Sequence, residues 1–228
     1  MTLQELIDEL RERVGDETIP PLVSDARLTK YANEAEREAC RRARLIVDAT
    51  TAACCQITLE EGTATYDLHA KVLFVRSARV DGDNATFLQR LHAKDLNKGG
   101  PEWLSEAGET VGWVLGMDTQ KFRPYRIPGA AEDGNVVHLT VVREPLQDMA
   151  DAEADSPEIH GRWHMGLVDW MEYRYYSTRD EQIKDDKLAA EALARFELQF
   201  GPAPSAAEEA WAQEQQAFLE DDGNVYGG

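Results

Sequence analysis

The sequence predicts an α+β fold: an antiparallel helical bundle with an inserted antiparallel β-rich domain and a C-terminal extension. Three observations predict it. Apolar residues recur at helical spacing near both ends of the chain, from Leu3 and again from Trp163 to Phe200. Between those ends the period changes to two, punctuated by the turn dipeptides Asp81-Gly82 and Asp133-Gly134. Past Gly201-Pro202 the chain carries no Lys or Arg. The expected divisions are residues 1–52 (N-terminal helices), 53–150 (β-rich insertion), 151–200 (helices completing the bundle) and 201–228 (acidic extension).

Thr2 with Glu5 has the spacing of a capping box, and Leu3, Leu6, Ile7, Leu10 and Val14 make one apolar face, ending near Gly15. Pro20-Pro21 is a rigid link. Ser24 is placed to cap a second helix lined by Leu28, Tyr31, Ala32, Ala35, Ala39, Ala43 and Ile46, whose small alanines imply close helix packing. From Cys55, Ile57 and Leu59 alternate with polar residues, Glu61-Gly62 turns, and Thr65–Leu68 returns as a hairpin. Val72–Val80 is a strand that turns at Asp81-Gly82 into Phe87-Leu88. A short helix covers 92–97, and 113–117, 122–127 and 136–142 are three further strands. Glu144–Glu158, acidic and without Lys or Arg, is expected to be a linker or exposed loop. An aromatic helix starts at Ser156 with Pro157 in its first turn and is apolar on more than one side, so it is buried on several sides. Asp185–Phe200 is the next helix. In the extension, 206–219 can be helical, with Trp211, Gln215 and Phe218 on one side.

A net charge of −19 argues against non-specific binding to nucleic acid or an anionic membrane, and suits an acidic wall along which DNA slides. No stretch is apolar for long enough to span a bilayer. The N-terminus reads as an amphipathic helix rather than a signal peptide. Cys40, Cys54 and Cys55 are odd in number and two are adjacent, so reduced thiols made in a host cytoplasm are expected.

No constellation demands chemistry. His160 and His164 are four apart, but Gly161 stands where the zinc-protease pattern needs Glu, so one should pack and the other face water. Cys54-Cys55 lacks the spacing of a metal knuckle, and Asp81–Asn84 lacks the glycine and distal Glu of a calcium loop. No cofactor, metal or catalytic residue is expected. Arg37, Arg41 and Arg44 form a stripe, either a solvated face supported by pairs such as Glu38 with Arg42 or a contact for an acidic neighbouring subunit. Trp211, Phe218 and Tyr226, with Gln215, either fold back or dock on a partner. The proline break at 202–204 favours docking.

Two segments resemble the head-to-tail connector (adaptor) proteins of tailed bacteriophages, short-tailed phages in particular. One is the Ser-Asp, Leu-x-x-Tyr-x-Asn-Glu-Ala pattern at Ser24, Asp25, Leu28, Tyr31, Asn33, Glu34 and Ala35. The other runs from Glu158 to Gly201: a His-containing helix, an aromatic centre, an Arg179-Asp180 connection and a helix ending Phe196-x-x-x-Phe200-Gly201. Together they cover about half of the chain. The resemblance implies a non-enzymatic ring of about twelve copies under the portal, in the virion neck. It implies a helical part and an extension docked on the portal, tail tube, nozzle or fibre proteins on the other side, and double-stranded DNA passing through the lumen. A tail-tube or head-completion ring protein is the alternative, and a small hydrolase with carboxylates in the β domain a more distant one.

Overall fold

A computed structural model describes residues 1–81, 86–115, 117 and 120–205. The fold is mixed α+β. Its helices are α1 (Leu3–Val14), α2 (Asp25–Ala43), α3 (Ala52–Cys55), α4 (Ala93–Leu96), α5 (His164–Tyr176) and α6 (Asp186–Phe200). The chain divides into two compact units. Met1–Ile46 joins Arg143–Ala203 in one, and the other takes in Val47–Val142.

In the helical unit α5 packs against α1, α2 and α6. Leu167, Val168, Met171 and Tyr175 of α5 are buried, with Leu6, Ile7 and Leu10 of α1, Leu28, Ala32, Ala35 and Ala39 of α2, and Phe196 and Phe200 of α6. The alanine face of α2 lets its backbone approach α5, as the spacing predicts. Gly166 does the same between α5 and α6: a Cβ there would lie 2.7 Å from the Phe200 ring. The capping box forms, with Glu5 N–H donating to Thr2 Oγ1 at 3.2 Å and Thr2 N–H to Glu5 Oε2 at 2.9 Å. Gly15 ends α1 in the left-handed region at φ 70°, where a Cβ is costly. Ser24 does take the N-cap position of α2, but its hydroxyl accepts no cap bond.

Two sequence expectations change in this unit. Residues 144–158 are the largely exposed loop expected, without helix or strand, but they are tied to the helices as a strap rather than left as a linker. Asn33 exchanges two bonds with the Met149 backbone, at 2.8 and 2.9 Å. Leu3 N–H and Gln4 N–H donate to Asp155 and Ala152 carbonyls, which satisfies open donors at the start of α1. Met149 and Ile159 are buried in the helical core. The aromatic helix also begins later than Ser156. Its entry is extended because Ile159 N–H donates to Glu36 Oε1 (3.1 Å) and the Ile159 carbonyl meets His164 Nε2 (2.9 Å). A 3-10 turn over Gly161–Trp163, capped by His160, then leads into α5.

The second unit holds β1 (Ile46–Asp48), β2 (Gln56–Thr58), β3 (Tyr66–Asp67), β4 (Val72–Val80), β5 (Thr86–Phe87), β6 (Gln89–His92), β7 (Ala107–Gly108), β8 (Gly112–Leu115), β9 (Lys121–Phe122), β10 (Pro124–Tyr125), β11 (Ile127–Pro128) and β12 (Val136–Arg143). The main sheet runs β1-β12-β4-β5, with β2 also on β12. Val137, Leu139 and Val141 alternate inward along β12. β4 and β5 pair antiparallel, with Arg79 opposite Phe87, and the expected Asp81-Gly82 turn between them runs into residues 82–85, outside the described residues.

The expected hairpin from Ile57 to Leu68 does not form. β2 pairs with β12 (Val137 opposite Ile57) and Tyr66 of β3 pairs with Phe122 of β9. Alternation specifies a strand but not its partner, and β12 offers the longer ladder. The expected strand over 122–127 breaks into β9, β10 and β11, each on a different partner. Pro124 and Pro128 have no N–H for a continuous ladder. The sheets are not wholly antiparallel either: β6–β8 and β7–β11 are parallel pairs.

Burial pushes the Glu36 carboxyl up to about 7, against the lowering effect of its bond from Ile159 N–H. Its folded value lies above its unfolded one. Between pH 4.5 and 7 the folded state therefore keeps a proton that the unfolded state releases, and stability falls as pH rises. Glu36→Gln keeps an acceptor for Ile159 and removes the charge. It should stabilise the protein by about 2–3 kcal/mol at pH 8 and by nothing below pH 4.5, read from urea unfolding across pH. Gly166→Ala should cost about 1–3 kcal/mol in the same assay, because the Gln199 side chain and the Phe200 ring both have to move.

Candidate interface on the helical unit

The three arginines of the predicted stripe have different surroundings. Arg37 Nη1 reaches Asp148 Oδ1 on the strap at 2.6 Å, with both side chains substantially exposed. Arg41 donates to Glu38 within α2, its Nε lying 3.0 Å from Oε2. Arg44 is exposed and takes the left-handed conformation that ends α2, at φ 55°. The residue that carries structure is one the stripe omits, Arg42, whose side chain is 3% exposed. Its guanidinium donates to Glu38 (3.2 Å) and to the Gly201 carbonyl (3.1 Å), and lies over the Trp170 and Phe196 rings at 5.3 and 5.2 Å. The Glu38–Arg42 spacing signals the pair. Its burial under Trp170 depends on α5 and α6, which the local sequence does not reveal.

Burial raises the Glu38 carboxyl, but bonds from Arg41 and the charges of Arg41 and Arg42 outweigh it and hold it below the usual range. Beside this knot is an open groove of about 270 Å³ lined by Glu34, Arg37, Glu38, Arg41, Glu144, Trp170 and Arg174. Arg174 Nη1 donates to Glu34 Oε2. The Trp170 indole N–H is buried without a hydrogen-bond partner. The surface is polar and self-neutralised, with an aromatic floor. That composition suits protein contact more than catalysis.

The histidine spacing produces no metal pair. His164 is buried, with Nδ1 3.0 Å from the Met1 amine and Nε2 on the Ile159 carbonyl, and burial lowers its pKa. The neutral ring accepts from the amine and donates to the carbonyl, so neither nitrogen is open. His160 is exposed and accepts from Arg162 N–H. In the second unit Asp48, Cys54 and Cys55 do form a buried cluster whose possible ligand atoms lie within 4.8 Å of one another. The sulfurs are 3.6 Å apart, and Asp48 Oδ1 accepts Thr50 and Thr51 N–H. Burial pushes the Cys55 thiol up to about 12, which disfavours the thiolate that a metal or a nucleophilic reaction needs. The predicted interface residues Trp211, Gln215, Phe218 and Tyr226 lie outside the described residues. Among the described residues no helix is long and apolar enough to cross a membrane.

A family model described as SU10 adaptor protein matches residues 1–219. The match runs through the β-rich middle and most of the extension, well beyond the two segments that carry the resemblance. No curated protein matches the chain significantly.

The two kinds of arginine should separate on substitution. Arg42→Ala removes a packed stem and leaves Glu38 and the Gly201 carbonyl short of a donor, which should cost about 2–4 kcal/mol in urea unfolding. Arg37→Ala breaks an exposed pair and should cost under about 0.5 kcal/mol.

Proposed function

The chain belongs to the SU10 adaptor protein family, a family of phage head-to-tail adaptors, and from that premise we propose that it is a structural component of the virion neck. In this reading it forms a closed ring of about twelve copies beneath the portal, joins portal to tail, and encloses part of the channel through which the genome passes. The family match over residues 1–219 carries the reading.

Several features support it. The helical unit, Met1–Ile46 with Arg143–Ala203, is interrupted in sequence by the β-rich residues Val47–Val142, as an inserted domain would be. The helices would face the portal, while the β-rich part would face tube, nozzle or fibre proteins. A charge of −19 suits a wall that phosphates slide past, because repulsion keeps DNA from sticking. The extension 201–228, with Trp211 and Phe218, would dock on a partner and order on assembly. Arg41 and Arg44, at the C-terminal end of α2, would meet an acidic neighbour.

Quantitative mass spectrometry of purified particles should find this chain at a copy ratio near one to the portal protein. Trace amounts would sink the neck reading. In infected cells, Trp211→Ala with Phe218→Ala should yield filled heads without tails. Normal plating and full tail attachment would remove the extension from the interface.

A further inference from the structure

A second groove in the helical unit, about 520 Å³, is lined by Arg27, Tyr31, Arg174, Ser177, Thr178, Arg179 and Asp180. It lies between the start of α2 and the end of α5. Three guanidiniums meet a single carboxylate there, in a chain whose overall charge is −19. The carboxylate, Asp180, already accepts Gln182 N–H at 3.0 Å. Arg174 stacks over the buried Tyr31 ring at 5.3 Å and is shared with Glu34. Arg27 and Arg179 are exposed, and among the described residues neither has an ion pair. Two open guanidiniums and a stacked third, set on an aromatic floor, form a receptor for carboxylates with an adjoining aromatic.

The chain itself contains a segment of matching chemistry. Residues 206–228 carry Glu208, Glu209, Glu214, Glu220, Asp221 and Asp222, together with Trp211, Phe218 and Tyr226, and no Lys or Arg. The segment leaves the helical unit at the far end. Gly201 is held there by Arg42, near the end of α2, and Phe200 packs on Trp163, at the start of α5, with ring centroids 6.0 Å apart. The groove lies at the other end, where the Asp185 N–H donates to the Tyr176 carbonyl as α6 begins. The 15 residues of α6 separate the two ends by about 22 Å. The 13 residues from Ser205 to Phe218 can span about 40 Å when extended, enough to reach either the chain's own groove or a neighbour's. The choice of a neighbouring copy follows from a head-to-tail ring.

The geometry points to the Arg27–Arg174–Arg179 groove as the docking site for the acidic segment 206–228 of a neighbouring copy. This rests on the ring reading. Each copy would hand its carboxylates to the guanidiniums of the next and lay one aromatic on the half-exposed Arg174 guanidinium that covers Tyr31. The contact would be weakened by salt, since its charges remain partly solvated.

Full-length chains carrying a photoreactive phenylalanine analogue at position 218, mixed as heavy-isotope and ordinary protein, test this directly. The expected products link position 218 to peptides holding Arg27–Tyr31 or 177–180, between heavy and ordinary chains. Arg27→Glu with Arg179→Glu should cut that yield at least about tenfold, and Asp221→Lys with Asp222→Lys on the donor should restore much of it. Arg27→Gln with Arg179→Gln, a milder pair, should show the same direction. Links confined to single chains, links elsewhere on the surface, or yields indifferent to charge reversal would overturn the assignment. So would a short DNA duplex that binds this groove and displaces nothing from the extension. Electron microscopy of the same samples with portal protein separates the two readings. Rings with links elsewhere overturn the groove alone, whereas groove links without rings retain the groove and remove the ring.

Discussion

A helix that is apolar on more than one side cannot stop at a two-layer contact, and the helical unit is organised by that demand of α5. Val168, Met171 and Tyr175 need α1 and α2 as partners, while Trp170 and Trp163 meet Phe196 and Phe200 of α6. α6 follows at once in sequence, but α1 and α2 precede α5 by more than a hundred residues. The core therefore closes only when the chain has passed through the β-rich unit and returned along β12. Gly166 and the alanines of α2 are consequences of the same demand, because small residues allow the approach that the large α5 side chains fill.

The strap shows how backbone polar groups follow from that core. Residues 144–158 lie where the start of α1 and the middle of α2 would otherwise have unpaired polar groups. Asn33 and Glu36, the polar residues buried on α2, are both used to hold it. The acidity of the segment is thus partly internal: Glu158 takes Arg143, and Asp155 takes the Ala150 and Asp151 N–H groups. A charge count treats these carboxylates as surface, yet several are structural.

Function in an adaptor of this kind resides in surfaces rather than in an active site, and that changes what is informative. Arginines in pairs are the background here, as with Arg13 between Glu9 and Asp169 or Arg195 between Asp169 and Glu172. Against that background, Arg27 and Arg179 have no carboxylate partner among the described residues and share one groove. An acidic chain that leaves guanidiniums open beside an aromatic ring keeps a binding preference that its net charge conceals.

The division between sequence and tertiary structure follows the range of the forces involved. Local order was legible in the residues themselves. The Thr2–Glu5 box, the Gly15 stop, the 3.6-residue faces of α1 and α2, the helix ending at Phe200 and the two strands Val72–Val80 and 136–142 all rest on contacts a few residues apart. Membership of the adaptor family was legible too, because helix-face patterns in a set order survive as sequence. Pairing was not. Whether Ile57 meets Val137 or Thr65, whether β6 runs parallel to β8, whether 144–158 is a linker or a strap, and which of Arg37, Arg41, Arg42 and Arg44 is buried are decided by partners tens of residues distant. Alternation or charge marks a residue as able to pair, and only the closed core around α5 selects what it pairs with.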